Sequence, residues 1–434
     1  MDWIWILLLA VIIYLAVAFI IRQRQIFSEH IVFYGPIMAI RTMRVAFFDW
    51  FTRFRTFFRV YASIGVAMVV IISVGMTLLL FLSLSYTFAV RPPPTGIYAP
   101  QNILLIPGLN EYVPSTLAVW LAFVLAIAIH EFGHGVLSRG ENIRVKAMGA
   151  LLLVLPIGFF VEPDEEELNE ARGMKKIRMF GAGITNNIVF GSACFVIMIL
   201  LMGPVVPVSG PIVGGIYQNY SADQAGLPAF SVIQAVNGVP VRTPAEVSGL
   251  LNETHPGDHL VLTVLHEDQV KDYTLNLSAW PEGSPERTSG FMGITYYDPA
   301  LVLEAVGQSV SPAGFLRFLT VPFDIAGFAN PLRVLALETQ ATQFYIAPFA
   351  GFWGIIHFLF WSGWINISVG VFNAIPMVPL DGGYILKEGV DRAFEKKGWL
   401  KYAPYLTTFV SVLMIMILCS LILLPYLFAA APGF

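Results

Sequence analysis

The chain contains His130-Glu131-Phe132-Gly133-His134, two imidazoles four residues apart with a carboxylate between them. On a helix, residues four apart share a face. His130 and His134 can therefore offer nitrogens to one metal ion while Glu131, about 100° round, reaches a water beside it. That is the equipment of a zinc-dependent hydrolysis, two ligands and a base. The motif closes an apolar run from Thr116 to Ile129. Ionisable residues inside a membrane span cost roughly 2.5 to 3.5 kcal/mol each on insertion scales and are functional by default. Three of them in five positions call for a compensating cation.

Two histidines make half a site, because catalytic zinc takes three protein ligands and keeps a position for water. The third candidate is Asp381, in Asn373-Ala374-Ile375-Pro376-Met377-Val378-Pro379-Leu380-Asp381-Gly382-Gly383. Pro376, Pro379, Gly382 and Gly383 break a helix there, which lets a carboxylate turn toward the metal. The alternative is a plain helix stop in which Asp381 caps the next helix. His30, His255, His259, His266 and His357 fall in loops, in an outer region or at the far end of a span. The expected centre is one Zn2+ per chain held by His130, His134 and Asp381, with Glu131 as general base.

The elements that must position these groups are membrane spans. Of the 434 residues, 56% are hydrophobic and 12% charged, and the mean hydropathy is +0.71, well outside the soluble globular range. The net charge of -4 is small and says little about partners, and no basic run with interleaved aromatics points to nucleic acid, so no nucleic-acid partner is expected. Cys194 and Cys419 sit apart in apolar runs and support neither a disulfide nor a thiolate zinc cluster. Six stretches reach the roughly 20 apolar residues that a bilayer requires: 3–21, 64–90, 116–137, 177–203, 352–373 and 404–428. The first lacks a basic start and a small-residue cleavage site, so it reads as a retained anchor.

Lysine and arginine set the orientation. Arg22, Arg24, Arg41, Arg44, Arg53, Arg55 and Arg59 follow the first span, and Lys387, Arg392, Lys396, Lys397 and Lys401 precede the last. Both groups, with Arg139, Arg144, Lys146, Lys175, Lys176 and Arg178, belong on the cytoplasmic side. The termini and residues 205–297 then lie outside. His130 is nine residues from Arg139, or about 13 Å below the cytoplasmic surface at the helical rise. Residues 142–161 are β-favouring and broken by Gly and Pro, and read as a re-entrant β-hairpin against a water-filled cavity. A seventh span is the alternative. Residues 163–170 read as an acidic cytoplasmic loop, and 297–350 as an amphipathic extracytoplasmic linker.

With both motifs in place, the chain resembles the site-2 protease family of intramembrane zinc metalloproteases, which pairs H-E-x-x-H on one span with N-x-x-P-x-x-P-x-x-D-G or a close variant on a later one. Gly183-Ile184-Thr185-Asn186-Asn187 resembles the family's G-x-x-x-N on the span between, with Ile184 where a proline often stands. The resemblance covers 116–203 and 352–390. It implies that His130, His134 and Asp381 bind zinc, that Glu131 is the base, and that Asn187 and Asn373 orient substrate backbone or an oxyanion. A buried asparagine that only bonds helix to helix is the alternative. It also implies substrates that are membrane-anchored proteins, cut within their transmembrane segments in regulated intramembrane proteolysis.

From 210 to 278 the pattern turns to alternating strands and turns. Ser221-Ala222-Asp223-Gln224-Ala225-Gly226-Leu227 and Ile233-Gln234-Ala235-Val236-Asn237-Gly238 resemble the PDZ domains of bacterial and archaeal proteases, with Phe230-Ser231 in place of the usual glycine-aspartate turn. Such a domain adds a peptide as a strand to a sheet edge; a spacer with a closed groove is the alternative. The expected architecture is an α-helical polytopic membrane protein of about six transmembrane helices with a re-entrant β-hairpin and an inserted small α/β PDZ-like domain. Its domains are 1–90, 116–203, 210–278, 297–350, 352–390 and 404–428. Its partners are membrane lipid, protein substrates and a peptide at the PDZ-like domain, and its place is the cell membrane. Rival functions are a catalytically inactive PDZ-bearing scaffold and a zinc transporter.

Overall fold

The computed structural model describes residues 2–281, 284, 287–324 and 332–430. The chain opens with α1 (Asp2–Arg24), a 23-residue helix over the first expected span. It continues through β1 (Ile31–Tyr34), β2 (Ile37–Thr42), the short α2 (Phe47–Phe51) and the 36-residue α3 (Arg55–Val90). Then follow α4 (Leu117–Gly140), β3 (Val145–Leu153), β4 (Leu155–Pro163), α5 (Glu165–Glu170) and α6 (Met174–Met202). Thr116 starts α4 by accepting the Val119 N–H at 3.4 Å, a cap of the kind that typically contributes about 1 kcal/mol.

The expected hairpin forms, with Val154 at φ +66° making its turn, but it belongs to a four-stranded sheet in the order β1-β2-β3-β4. The added hairpin, unforeseen from sequence, comes from Ile31-Val32-Phe33-Tyr34-Gly35-Pro36-Ile37, where apolar strand formers flank a Gly-Pro turn and Gly35 takes φ +61°. The acidic stretch after β4 is a helix rather than a loop, because Asp164 caps it by accepting the Glu166 and Glu167 N–H groups. The Glu167 N–H, with Lys146 and Arg144 alongside, holds the Asp164 carboxyl below the ordinary carboxylate range.

Contacts divide the chain into two units, Met1–Glu111 with Ser115–Ala193 and Ser362–Phe434, and Tyr112–Pro114 with Cys194–Trp361. The second unit contains β5 (Val206–Pro207), β6 (Ile212–Ile216), α7 (Ser221–Gln224), β7 (Val232–Val236), β8 (Val239–Pro240), α8 (Pro244–Leu251), β9 (His259–His266), β10 (Gln269–Asn276) and β11 (Ile294–Tyr297). Its main sheet runs β10-β9-β7-β6-β11, with β8 on β7. Alternate residues of β9 turn inward, so Leu260, Leu262 and Val264 join Val213, Ile233 and Leu275 in a fully buried core. Glu267 and Asp268, both at positive φ, make the two-residue β9–β10 turn. The linker expected over 297–350 folds as α9 (Ala300–Gln308), α10 (Pro312–Thr320), α11 (Arg333–Ala336) and β12 (Tyr345–Ile346), which pairs with β5; its residues 325–331 lie outside the described residues.

The chain ends in α12 (Phe352–Asn373), α13 (Asp381–Glu395) and α14 (Ala403–Ala430). Among the described residues, five stretches are long and apolar enough to cross a membrane: Phe47–Val90, Leu117–Gly140, Met174–Met202, Phe352–Asn373 and Leu400–Ala430. In the first unit, Glu141 at the end of α4 is fully buried and pairs with Arg59 of α3 at 3.0 Å and Arg178 of α6 at 2.7 Å. Removing one partner of such a buried pair costs about 3–5 kcal/mol, so this triad pins three helices at one level. Leu80, Ile375, Met377, Met414 and Ile417 pack as one cluster, and the Val378 N–H donates to Ser411 Oγ at 3.2 Å. The loop before Asp381 is thereby fixed to α3 and α14.

Candidate metal centre

The 3.6-residue turn brings His130 and His134 together on α4, with their Nε2 atoms 3.2 Å apart. Asp381, first residue of α13, reaches them from 251 positions along the chain. Its Oδ2 lies 3.0 Å from His130 Nε2 and 3.3 Å from His134 Nε2. Gly382 and Gly383 are required for this entry, because a Cβ on either would collide with the backbone of residues 374–378 as the loop folds over the helix start. Among the described residues no other group of three His, Cys, Asp or Glu side chains converges this way. His357 is spent on the Val334 carbonyl at 3.0 Å.

The hydrogen bonds behind the ligands decide what the three atoms can do. Asn187 Nδ2 donates to the Ala126 carbonyl at 3.2 Å, so its Oδ1 faces His130 Nδ1 at 3.1 Å and accepts its proton. His134 Nδ1 donates to the Met179 carbonyl at 2.9 Å. With both protons on Nδ1, the two neutral rings point Nε2 lone pairs at one spot. Asp381 Oδ2 points there too, buried and without a hydrogen-bond donor. Two lone pairs and a carboxylate oxygen at 3.0–3.3 Å repel unless a proton or a metal cation sits among them. Ligand atoms about 2.0–2.1 Å from a tetrahedral zinc lie about 3.3 Å apart, so the donor set fits that ion.

Two helices must approach closely for this, and glycines allow it. A Cβ at Gly133 would sit 2.7 Å from the Ala182 carbonyl oxygen. One at Gly183 would sit 2.6 Å from His134 Nε2 and 2.8 Å from His130 Nε2. The Gly183 and Asn187 spacing on α6 thus has a physical meaning: the glycine leaves room for the ligand atoms and the asparagine, one turn on, holds a ligand ring. Gly183→Ala is expected to weaken zinc binding by roughly 5- to 150-fold, the effect of about 1–3 kcal/mol of overpacking. Zinc titration beside circular dichroism checks this, and unchanged affinity in a folded variant would mean that the cage yields.

Glu131 is half-buried, and its Oε2 accepts the Val161 N–H at 2.9 Å. This partner and the Met179 carbonyl are backbone groups, so no residue type in the sequence signals them. Asn186, also not singled out, accepts from Tyr61 Oη at 2.9 Å and donates to the Ile129 carbonyl at 3.3 Å, bracing the same helix. Both ends of the Asn187 amide are engaged within the helices, whereas Asn373 at the end of α12 uses one N–H on the Val369 carbonyl at 3.1 Å.

A histidine pair with its glutamate and a distant carboxylate, set among membrane-length helices, defines a multi-pass membrane zinc metalloprotease. Residues 118–418 match the model of peptidase family M50. The chain belongs to that family, the family of the site-2 proteases. The zinc metalloprotease RasP of Bacillus licheniformis is 25% identical over 52% of this chain and 53% of its own length. The regulator of sigma-W protease RasP of Bacillus subtilis is 23% identical over 52% and 55%, so the chain spans about half the length of these two relatives. A Clostridium acetobutylicum protein described as a candidate zinc metalloprotease is 24% identical over 61% of this chain and 83% of its own. Part of the chain is similar to the solved PDZ domain of an SdrC-like protein from Listeria monocytogenes, at 20% identity over 21% of this chain and 90% of that one, with a TM-score of 0.19.

Proposed function

We propose that this protein is an intramembrane endopeptidase that hydrolyses peptide bonds within the transmembrane segments of membrane-anchored proteins. The observation that carries the reading is the convergence of His130, His134 and Asp381 with both imidazole tautomers fixed. These three residues hold the zinc. When bound, it supplies Lewis-acid polarisation of the scissile carbonyl and acidifies the attacking water. Glu131 takes a proton from that water and delivers it to the leaving amine. Until then the Val161 N–H keeps its carboxylate in place. Asn187 holds the His130 ring, which assigns it to the ligand rather than to substrate. Asn373 keeps a second N–H that can face a substrate carbonyl.

A helical substrate hides its carbonyls in internal hydrogen bonds, so cleavage requires local unwinding. β4 is an edge strand of its sheet and carries the residue bonded to Glu131. A substrate strand paired on that edge would offset the lost helical bonds. The distribution of lysine and arginine supports an active site toward the cytoplasm with both termini outside. We read 210–278 as an extracytoplasmic PDZ-like domain that binds peptide and filters substrates.

Purified protein in proteoliposomes with a membrane-anchored substrate is expected to cleave it within the membrane segment, to stop with a chelator and to resume when zinc returns. Cleavage indifferent to the chelator would overturn the reading. Zinc uptake into sealed vesicles without cleavage would favour a transporter instead.

A further inference from the structure

Glu131 opens onto a cavity of about 350 Å³ whose walls include Phe47 and Phe48 of α2, Phe132 of α4, Met148 of β3 and Phe159 of β4. The volume is near the lower end of the range for small-ligand sites, and among the described residues Glu131 is the one charged residue lining it. The wall formed by α2 is built in. Phe48 is 1% exposed and lies over Gly135 of α4, where any Cβ would collide with its ring. Asp49 pairs with Arg139 of α4. Phe51 meets Phe132 edge to face at 5.2 Å. Phe47 and Phe48 precede the stretch 118–418 that matches the family, so this wall belongs to the chain's own N-terminal region.

We infer that this cavity is a specificity subsite that receives one bulky apolar side chain, of the leucine, methionine or phenylalanine class, from the substrate segment beside the cleaved bond. The inference rests on the proteolytic reading and deepens it. A base must lie within hydrogen-bond reach of the attacking water, so the substrate residue next to the cleaved bond comes to rest beside Glu131, at the mouth of the cavity. A strand on the β4 edge sends alternate side chains to opposite faces. One of the two sets faces the cavity, because Phe159 to Val161 of β4 both line it and carry the bond to Glu131. A wall that is apolar apart from the base and Thr42, whose hydroxyl accepts the Arg44 N–H at 3.2 Å, rewards a large apolar side chain and gives a small or polar one little to bury against. Ala150 lines the cavity on the β3 side.

The test uses the full-length protein in proteoliposomes and matched transmembrane substrates differing only in the residue next to the cleaved bond, Phe or Leu against Ala. Zinc content is measured for every variant. Wild type is expected to favour the large residue. Ala150→Leu, which narrows the cavity, is expected to lower kcat/KM for the large substrate by about 10-fold or more while changing the Ala substrate little. Phe47→Ala, at a position 43% exposed and outside the buried cluster around Phe48, is expected to shift preference toward a still larger residue such as Trp. It keeps the test decisive if Ala150→Leu disturbs its strand. Selectivity unmoved by Phe47→Ala, as expected if a lipid chain fills the cavity, would overturn the subsite and leave the protease intact. Absence of cleavage by zinc-loaded wild type would instead strike the proteolytic reading.

Discussion

Glu131→Gln is expected to keep zinc and to lower cleavage by about 10²- to 10⁴-fold, the contribution typical of general acid–base catalysis. The carboxamide has nearly the same shape as the carboxylate, and its oxygen can still accept the Val161 N–H that Glu131 accepts at 2.9 Å. His130 and His134 keep their Nδ1 partners, Asn187 and the Met179 carbonyl, so the ligand geometry is undisturbed. What disappears is the group that accepts a proton from water and returns it to the amine. Substrate still binds but is not turned over, and it should co-purify intact with the variant. Single-turnover cleavage beside metal analysis reads both effects. A normal rate with zinc bound would remove Glu131 from the mechanism.

Asp381→Ala is expected to have the largest effect on the metal itself. The carboxylate oxygen lies 3.0 and 3.3 Å from the two Nε2 atoms, and among the described residues no hydrogen-bond donor serves it. Losing it leaves two nitrogens where a catalytic zinc takes three protein ligands. Losing an outer hydrogen-bond partner of a ligand, as in Asn187→Ala, typically costs 10- to 100-fold in metal affinity. Asp381→Ala should exceed that, purify without zinc and cleave nothing. Competition with a chelator of known affinity orders the two variants. If Asp381→Ala holds zinc as tightly as Asn187→Ala, the third ligand is some other group.

The two histidines were legible because their relation is local: a helix sets the i, i+4 geometry whatever surrounds it. The membrane-length helices were legible for a similar reason, since each bilayer span must be apolar along its own length. The β-hairpin at 145–163 announced itself through strand-forming residues broken by glycine and proline. Asp381 could be proposed because prolines and glycines disrupt a helix beside it, yet nothing local distinguishes a carboxylate that caps a helix from one that faces a metal. That choice belongs to the packing of the 374–380 loop on α3 and α14.

The roles of Gly183 and Asn187 likewise depend on how closely α6 lies against α4, a separation that no single helix encodes. The groups that hold Glu131 and His134 are a backbone N–H and a backbone carbonyl, which every residue carries and which therefore leave no mark in sequence. α2 reads as an aromatic stretch among arginines and becomes a cavity wall only because Phe48 finds a glycine on another helix. The sequence by itself determined the chemistry and the solvent in which it happens, because residue type and local periodicity suffice for both. Tertiary structure alone decided which atoms converge, which tautomers they hold and what space lies beside them, because those are set by contacts between segments tens to hundreds of residues apart.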